Sequence, residues 1–160
     1  MSSNKNWVTK MTVDITTGSK PGASHPDSRV WINMGAREFR LKRYGAFLPH
    51  QQDKFVIARE GLKVEPKQLV DIPEDNIIDD PIAVDLDSLL KAPFLIYLGY
   101  WSPEVWSVKK ITIEIESENG TTKKFGLYNK NKESTANAEL VNELEFGVTY
   151  GAYVYFMPLD

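Results

Sequence analysis

His25 and His50 are the only imidazoles in this chain of 160 residues, and it contains no cysteine. A Ser-His-Asp triad needs three side chains within hydrogen-bond reach, and the sequence offers no nucleophile-elbow motif. A zinc site would need further His or carboxylate ligands at compatible spacing, and thiolate ligands are excluded outright. Gly18-Ser19-Lys20-Pro21-Gly22 lacks the Gly-Lys-Ser/Thr ending and the following helix of a phosphate loop. The neighbouring carboxylates Asp79 and Asp80 occur without the aromatic cleft that a glycosidase usually provides. These residues argue against catalysis. No catalytic residue, metal ligand or cofactor is assigned from them.

Binding chemistry is better represented. Tyr100 and Trp101 fall in a turn bounded by Gly99 and Pro103. Rings placed there suit a membrane interface, where an apolar body and a polar tip are both satisfied. They suit a sugar ring or a protein hot spot equally well, or they cap the end of a core. Arg37, Arg40, Lys42 and Arg43, joined by Tyr44, form a basic cluster. On alternating positions these cations cannot all share one face. They read as a solvated strand edge, or as attraction to anionic lipid or an acidic partner. From Asp71 to Asp87 there are seven acids and no base. That stretch reads as a solvated insert or as an oxygen-ligand calcium site, because hard cations need several converging oxygens. The EF-hand pattern is absent.

The formal charge of −3 argues against a dedicated nucleic-acid binder, which is usually basic overall. Met1-Ser2-Ser3-Asn4-Lys5-Asn6 has no apolar core of the kind a signal peptide requires. No apolar run reaches the length of a transmembrane helix. The expectation is a soluble product made without a signal peptide, cytoplasmic or released by a leaderless route.

The elements that must carry these residues are strands. Trp7 to Thr16 alternates, with Val8, Lys10, Thr12 and Asp14 on one side and Trp7, Thr9, Met11, Val13 and Ile15 on the other. Thr17 to Ser28, with Gly18, Pro21, Gly22 and Pro26, is a long loop. Arg29 to Met34 and Arg37 to Lys42 form a hairpin, with Val30, Ile32, Phe39 and Leu41 as its apolar positions. Asp53 to Ala58 is a short strand. The irregular acidic insert covers about 60–87. An apolar run from Leu90 to Leu98 leads through the aromatic turn to a long strand. There, Val108, Lys110, Thr112 and Glu114 oppose Lys109, Ile111, Ile113 and Ile115, with Trp106 assigned to the core. Asn119-Gly120 is a hairpin turn that tolerates positive φ, followed by a strand from Thr122 to Tyr128. Asn129 to Leu144 is polar, with a helical turn expected after Ser134. Phe146 to Met157 alternates again and Pro158 ends it. Roughly eight strands without a long helix predict one all-β domain over residues 1–160, a two-sheet antiparallel sandwich.

The order Val13-x-Ile15-Thr16-Thr17-Gly18, a Gly/Ser/Pro/Asp loop, Val30-x-Ile32-x-Met34-Gly35 and Asp53-x-Phe55 resembles the PLAT (lipoxygenase homology, LH2) domain. So does Leu89-Leu90-x-x-Pro93-Phe94-x-Ile96, followed by Pro103-x-x-Trp106-x-Val108-x-x-Ile111-x-Ile113. The resemblance covers about Val13 to Ile115. It implies a β-sandwich that docks proteins or membrane surfaces, in some relatives with calcium. Two departures bear on calcium: Ala23-Ser24-His25-Pro26-Asp27-Ser28 replaces the family's Gly-Thr-Asp loop, and Gly99-Tyr100-Trp101 replaces its polar turn before the tryptophan.

The leading expectation is thus a non-catalytic module that docks to an anionic lipid surface or a protein partner. Tyr100 and Trp101 would be the anchors, with Arg40, Lys42, Arg43 and Tyr44 beside them. A carbohydrate-binding module is the alternative, with the same aromatics stacking on sugar and Asp27 or Asn33 bonding hydroxyls. A third reading is a structural or assembly subunit of a toxin or secreted particle. In that reading the tyrosine-rich last strand pairs with a neighbouring copy or chain if it lies at a sheet edge.

Overall fold

The computed structural model describes residues 5–24, 30–34, 37–41, 45–58, 84–91, 95–98, 105–127, 139–146 and 154–158. These are mostly antiparallel β-structure with one short helix. In chain order they form β1 (Val8–Pro21), a 3₁₀ turn (Gly22–Ser24), β2 (Val30–Met34), β3 (Arg37–Leu41) and β4 (Gln52–Ala58). Helix α1 (Leu86–Lys91) follows, then β5 (Leu95–Leu98), β6 (Trp106–Ser117), β7 (Thr122–Leu127), β8 (Glu139–Phe146) and β9 (Val154–Pro158).

Hydrogen-bonded neighbours run in the order β3-β2-β5-β9-β7-β6-β1-β4, with β8 also paired to β6. Strand β6 is the spine. It lies against β1 over its whole length, from Pro21↔Trp106 to Val8↔Ser117. Its other edge is shared by β8 along the first half and β7 along the second. Strand β9 joins the two groups of strands: Val154 and Tyr155 pair with β5, while Phe156 to Pro158 pair with β7. Within the last strand, residues 154–155 are thus held by β5 and residues 156–158 by β7.

One apolar cluster draws on both groups. Met11, Val13, Ile15, Phe55, Ile57, Trp106, Ile111, Ile113 and Ile115 come from the β6 side, and Val30, Ile32, Phe39 and Leu41 from the β2–β3 hairpin. Alternation explains most of these positions, because successive side chains of a strand point to opposite faces. Two faces differ from the simple count. Val8, expected opposite Met11, is fully buried with it, because the β1–β6 register shifts between Val8 and Lys10. Val108, expected opposite Ile111, is likewise buried, while Lys109 is exposed. Register shifts between Thr16 and Thr17 on β1, and between Val108 and Lys110 on β6, reset the phase there. An extra residue in one strand moves every later side chain to the other face.

Three elements differ from expectation. Residues 17–24, read as part of a long loop, continue β1 to Pro21 and then form the 3₁₀ turn, because β6 pairs with Thr17 and Pro21 across register shifts. Residues 86–91, read as the end of the insert and the start of an apolar strand, form α1. Asp85 caps it: its Oδ2 accepts from the Ser88 amide at 3.2 Å and the Ser88 hydroxyl at 3.1 Å. Leu86 and Leu89 face the core, and Pro93 disfavours helix at the residue before it. Residues 139–144, read as polar chain, belong to β8. The helical turn expected after Ser134 lies outside the described residues.

Candidate interaction surface

The two ends of the β6 spine differ in chemistry. At its last residues the chain is tied into a closed polar junction. Asn6 Nδ2 donates to Ser117 Oγ at 3.1 Å, and the Asn119 amide donates to Asn6 Oδ1 at 3.3 Å. The Asn6 amide donates to Asp85 Oδ1 at 2.9 Å, and the Leu86 amide donates to the Asn6 carbonyl at 2.8 Å. Desolvation would raise the Asp85 carboxyl. The amides of Asn6 and Ser88, the Ser88 hydroxyl and the Lys5 ammonium outweigh it and hold the group below its ordinary value.

At the Trp106 end several described strand ends lie close to one another. Val30 is the cross-strand partner of both Leu41 and Leu98, so the start of β2 and the ends of β3 and β5 lie side by side. The chain resumes in the described structure at Gly45 and Val105, and it leaves it at Ser24. The Gly22 amide donates to the Val105 carbonyl at 2.9 Å, and Pro21 pairs with Trp106. Gln51 Nε2 donates to the Gly45 carbonyl at 2.8 Å while the Gln51 carbonyl accepts from the Thr17 amide at 2.9 Å. Asp27, Lys42, Arg43, Tyr44, Tyr100 and Trp101 lie outside the described residues. The segments that contain them are joined to the fold at these neighbouring points.

Residues 45–51 form the described loop at this end. Phe47 is buried, its ring stacked on Phe55 at 5.5 Å and edge-on to Trp106 at 5.3 Å. The Phe47 amide donates to Asp53 Oδ2 at 2.8 Å, and Gln51 Nε2 donates to Asp53 Oδ1 at 2.6 Å. Asp53 is fully buried, and its carboxylate is the post around which the loop is wound. The His50 amide donates to the Gly18 carbonyl at 3.0 Å, tying the loop to β1. Phe47 and His50 hold φ of 63° and 60°, a left-handed conformation that costs an L-residue about 1–2 kcal/mol. The surrounding bonds and ring contacts hold that strain. The outcome is a braced tip with Leu48, Pro49 and His50 exposed; Leu48 keeps 45% of its surface in solvent. Sequence reasoning passed over Leu48. A leucine beside a proline in a loop was the available signal.

The other expected site residues lie on strands. Arg40 is half-buried on β3, in register with Trp31 of β2, whose other backbone partner is Tyr97. Asn33 is half-buried on β2, two positions from Trp31, while Val30 and Ile32 between and before them are buried. Trp31 and Asn33 thus share the outward side of β2. Asn33 stands about 10 Å along the strand from Val30, where the segment holding Asp27 joins. Lys20 pairs with Glu145 across the β1–β8 side. Among the described residues, no three His, Asp or Glu side chains are grouped so as to hold a metal ion. Nor, among those residues, is any helix long and apolar enough to cross a membrane. Compared with protein-family models, with curated proteins and with solved structures, the chain finds no match in any of the three.

Proposed function

We propose that this chain is a non-catalytic docking module, a two-sheet β-sandwich of the lipoxygenase-homology kind, that binds an anionic membrane surface through the Trp106 end. The described strand ends that flank these segments support this reading. Lys42, Arg43 and Tyr44, and Tyr100 and Trp101, belong to segments that join the fold at adjacent points, next to a braced loop that exposes Leu48.

Magnitudes make the docking reversible. Burying one leucine supplies about 2 kcal/mol, and each basic residue near an anionic surface about 1 kcal/mol. Such a sum is comparable to a single acyl chain, which gives only marginal, reversible attachment. Co-sedimentation with phosphatidylserine vesicles tests the reading: wild type pellets, Trp101→Ala pellets less, and added salt weakens both. If wild type and Trp101→Ala both stay in the supernatant, the membrane reading fails and a protein partner takes its place.

One observation favours the carbohydrate alternative. Asn33 and Trp31 share the outward side of β2, with Arg40 in register beside them. An indole offers a face to a sugar ring, and the amide and guanidinium offer hydrogen bonds to hydroxyls. A glycan array in which Trp31→Ala and wild type are both blank ends that reading.

A further inference from the structure

Asn119-Gly120 is the only Asn-Gly step in the chain, and β6 and β7 turn around it. Gly120 sits at φ 83°, and an added Cβ there would meet no atom within 4 Å. Both residues are exposed. The Asn119 side chain folds back on its own backbone. Its Oδ1 accepts from the Thr121 amide at 3.0 Å, the Thr121 hydroxyl at 2.6 Å and the Ser117 hydroxyl at 2.9 Å. A side chain closing this kind of turn hydrogen-bonds its own backbone two residues on, which ties the Asn119 carboxamide across the Gly120 peptide. Donors gathered on one carbonyl oxygen are also what stabilises the oxyanion when that carbonyl is attacked.

We propose that Asn119 is a self-modification site whose reaction the turn itself promotes. The Gly120 amide leaves the Ser117 carbonyl to which it donates, and its nitrogen gives its proton to hydroxide and bonds to Cγ of Asn119. The Cγ–Nδ2 bond breaks, and ammonia leaves after taking a proton from water. Water then opens the resulting succinimide at either carbonyl, leaving aspartate or isoaspartate at position 119. No oxidant, metal or second protein is needed.

The two products act differently on the fold. Aspartate keeps the turn, since a carboxylate oxygen accepts from the same donors more strongly than an amide does. Isoaspartate adds a methylene to the backbone inside a turn closed by Gly120 N–H to the Ser117 carbonyl and Ser117 N–H to the Thr121 carbonyl, each 3.0 Å. It also displaces the Asn119 amide from Asn6 Oδ1. The hold of residues 5–8 on the hairpin loosens as the modified fraction grows.

The test incubates the full folded chain at neutral and mildly alkaline pH and maps peptides by mass spectrometry, with an isoaspartate methyltransferase assay. Conversion at position 119 is expected to rise with pH, to slow several-fold in Thr121→Ala and to be nearly lost in Gly120→Ala. Amide exchange at residues 5–8 is expected to rise with the isoaspartate fraction. A folded chain that keeps Asn119 intact while a urea-unfolded control converts overturns the proposal. So does a Thr121→Ala variant, folded by circular dichroism, that converts as fast as wild type.

Discussion

The indole Nε1 of Trp106 donates to Thr17 Oγ1 across 3.2 Å, and neither residue has any surface in solvent. The bond crosses from β6 to β1 at the point where their register breaks, between Thr16 and Thr17. The same indole meets the Phe47 ring in a T-shaped contact. One residue thus fixes the strand junction and the floor of the exposed loop.

Trp106→Phe removes that donor and part of the ring, and it should cost about 2–3 kcal/mol in urea unfolding. Thr17→Val conserves volume and isolates the bond itself. In a double-mutant cycle the pair should show a coupling of about 1 kcal/mol. Strict additivity would mean the contact contributes nothing beyond packing.

Left-handed backbone at two non-glycine positions gives substitutions of opposite sign. His50 is exposed, so His50→Gly relieves about 1–2 kcal/mol of strain. The added freedom of the unfolded chain offsets about 0.4–1 kcal/mol. The expected net gain is about 0.5 kcal/mol, read as a higher denaturation midpoint. Phe47→Gly relieves the same strain but empties a buried ring site, so it should destabilise by about 2 kcal/mol or more.

Asp85 gives a pH dependence with a definite sign. Its folded-state carboxyl titrates below the ordinary value of 3.8. The stabilisation it provides is present above 3.8 and is lost as pH falls through the lower folded value. Asp85→Asn should flatten the acid limb of the stability curve, and the protection factors of the amides at 86–89, corrected for intrinsic exchange, should then become insensitive to pH in that range. An acid limb identical to wild type would place the titration elsewhere.

Leu48 is exposed enough that Leu48→Asp should leave the denaturation midpoint within about 0.5 kcal/mol of wild type. Vesicle binding should nevertheless fall by about tenfold or more, because a leucine side chain is worth about 1.5–3 kcal/mol on burial. Unchanged partition would remove this loop from the docking end.

What was legible in the sequence is what period-two patterning encodes. Val13, Ile15, Val30, Ile32, Phe39, Leu41, Ile111, Ile113 and Ile115 all lie in the core as the alternation predicts. Trp106 was placed there too. Val8 and Val108 were assigned to the wrong side, because a bulge is a property of two strands together and leaves no mark in one of them. Strand β8 was missed because Glu139, Glu143 and Glu145 dilute its apolar pattern and glutamate has weak strand propensity. Helix α1 was missed at only six residues, too short to show a helical period. The chemistry of Tyr100, Trp101, Lys42 and Arg43 could be read by residue type. That their segments join the fold side by side required strand pairing between residues far apart in sequence.

Strand β9 sets a schedule for biosynthesis. The two groups of strands are stitched by residues 154–158, the last described stretch to leave the ribosome. Strand β1 gains β4 on one edge early, but its other edge stays open until β6 arrives, about ninety positions after it. A nascent chain must therefore carry apolar, half-paired β1 and β2 through most of its translation. Until β9 is made, those unpaired edges are exposed to aggregation.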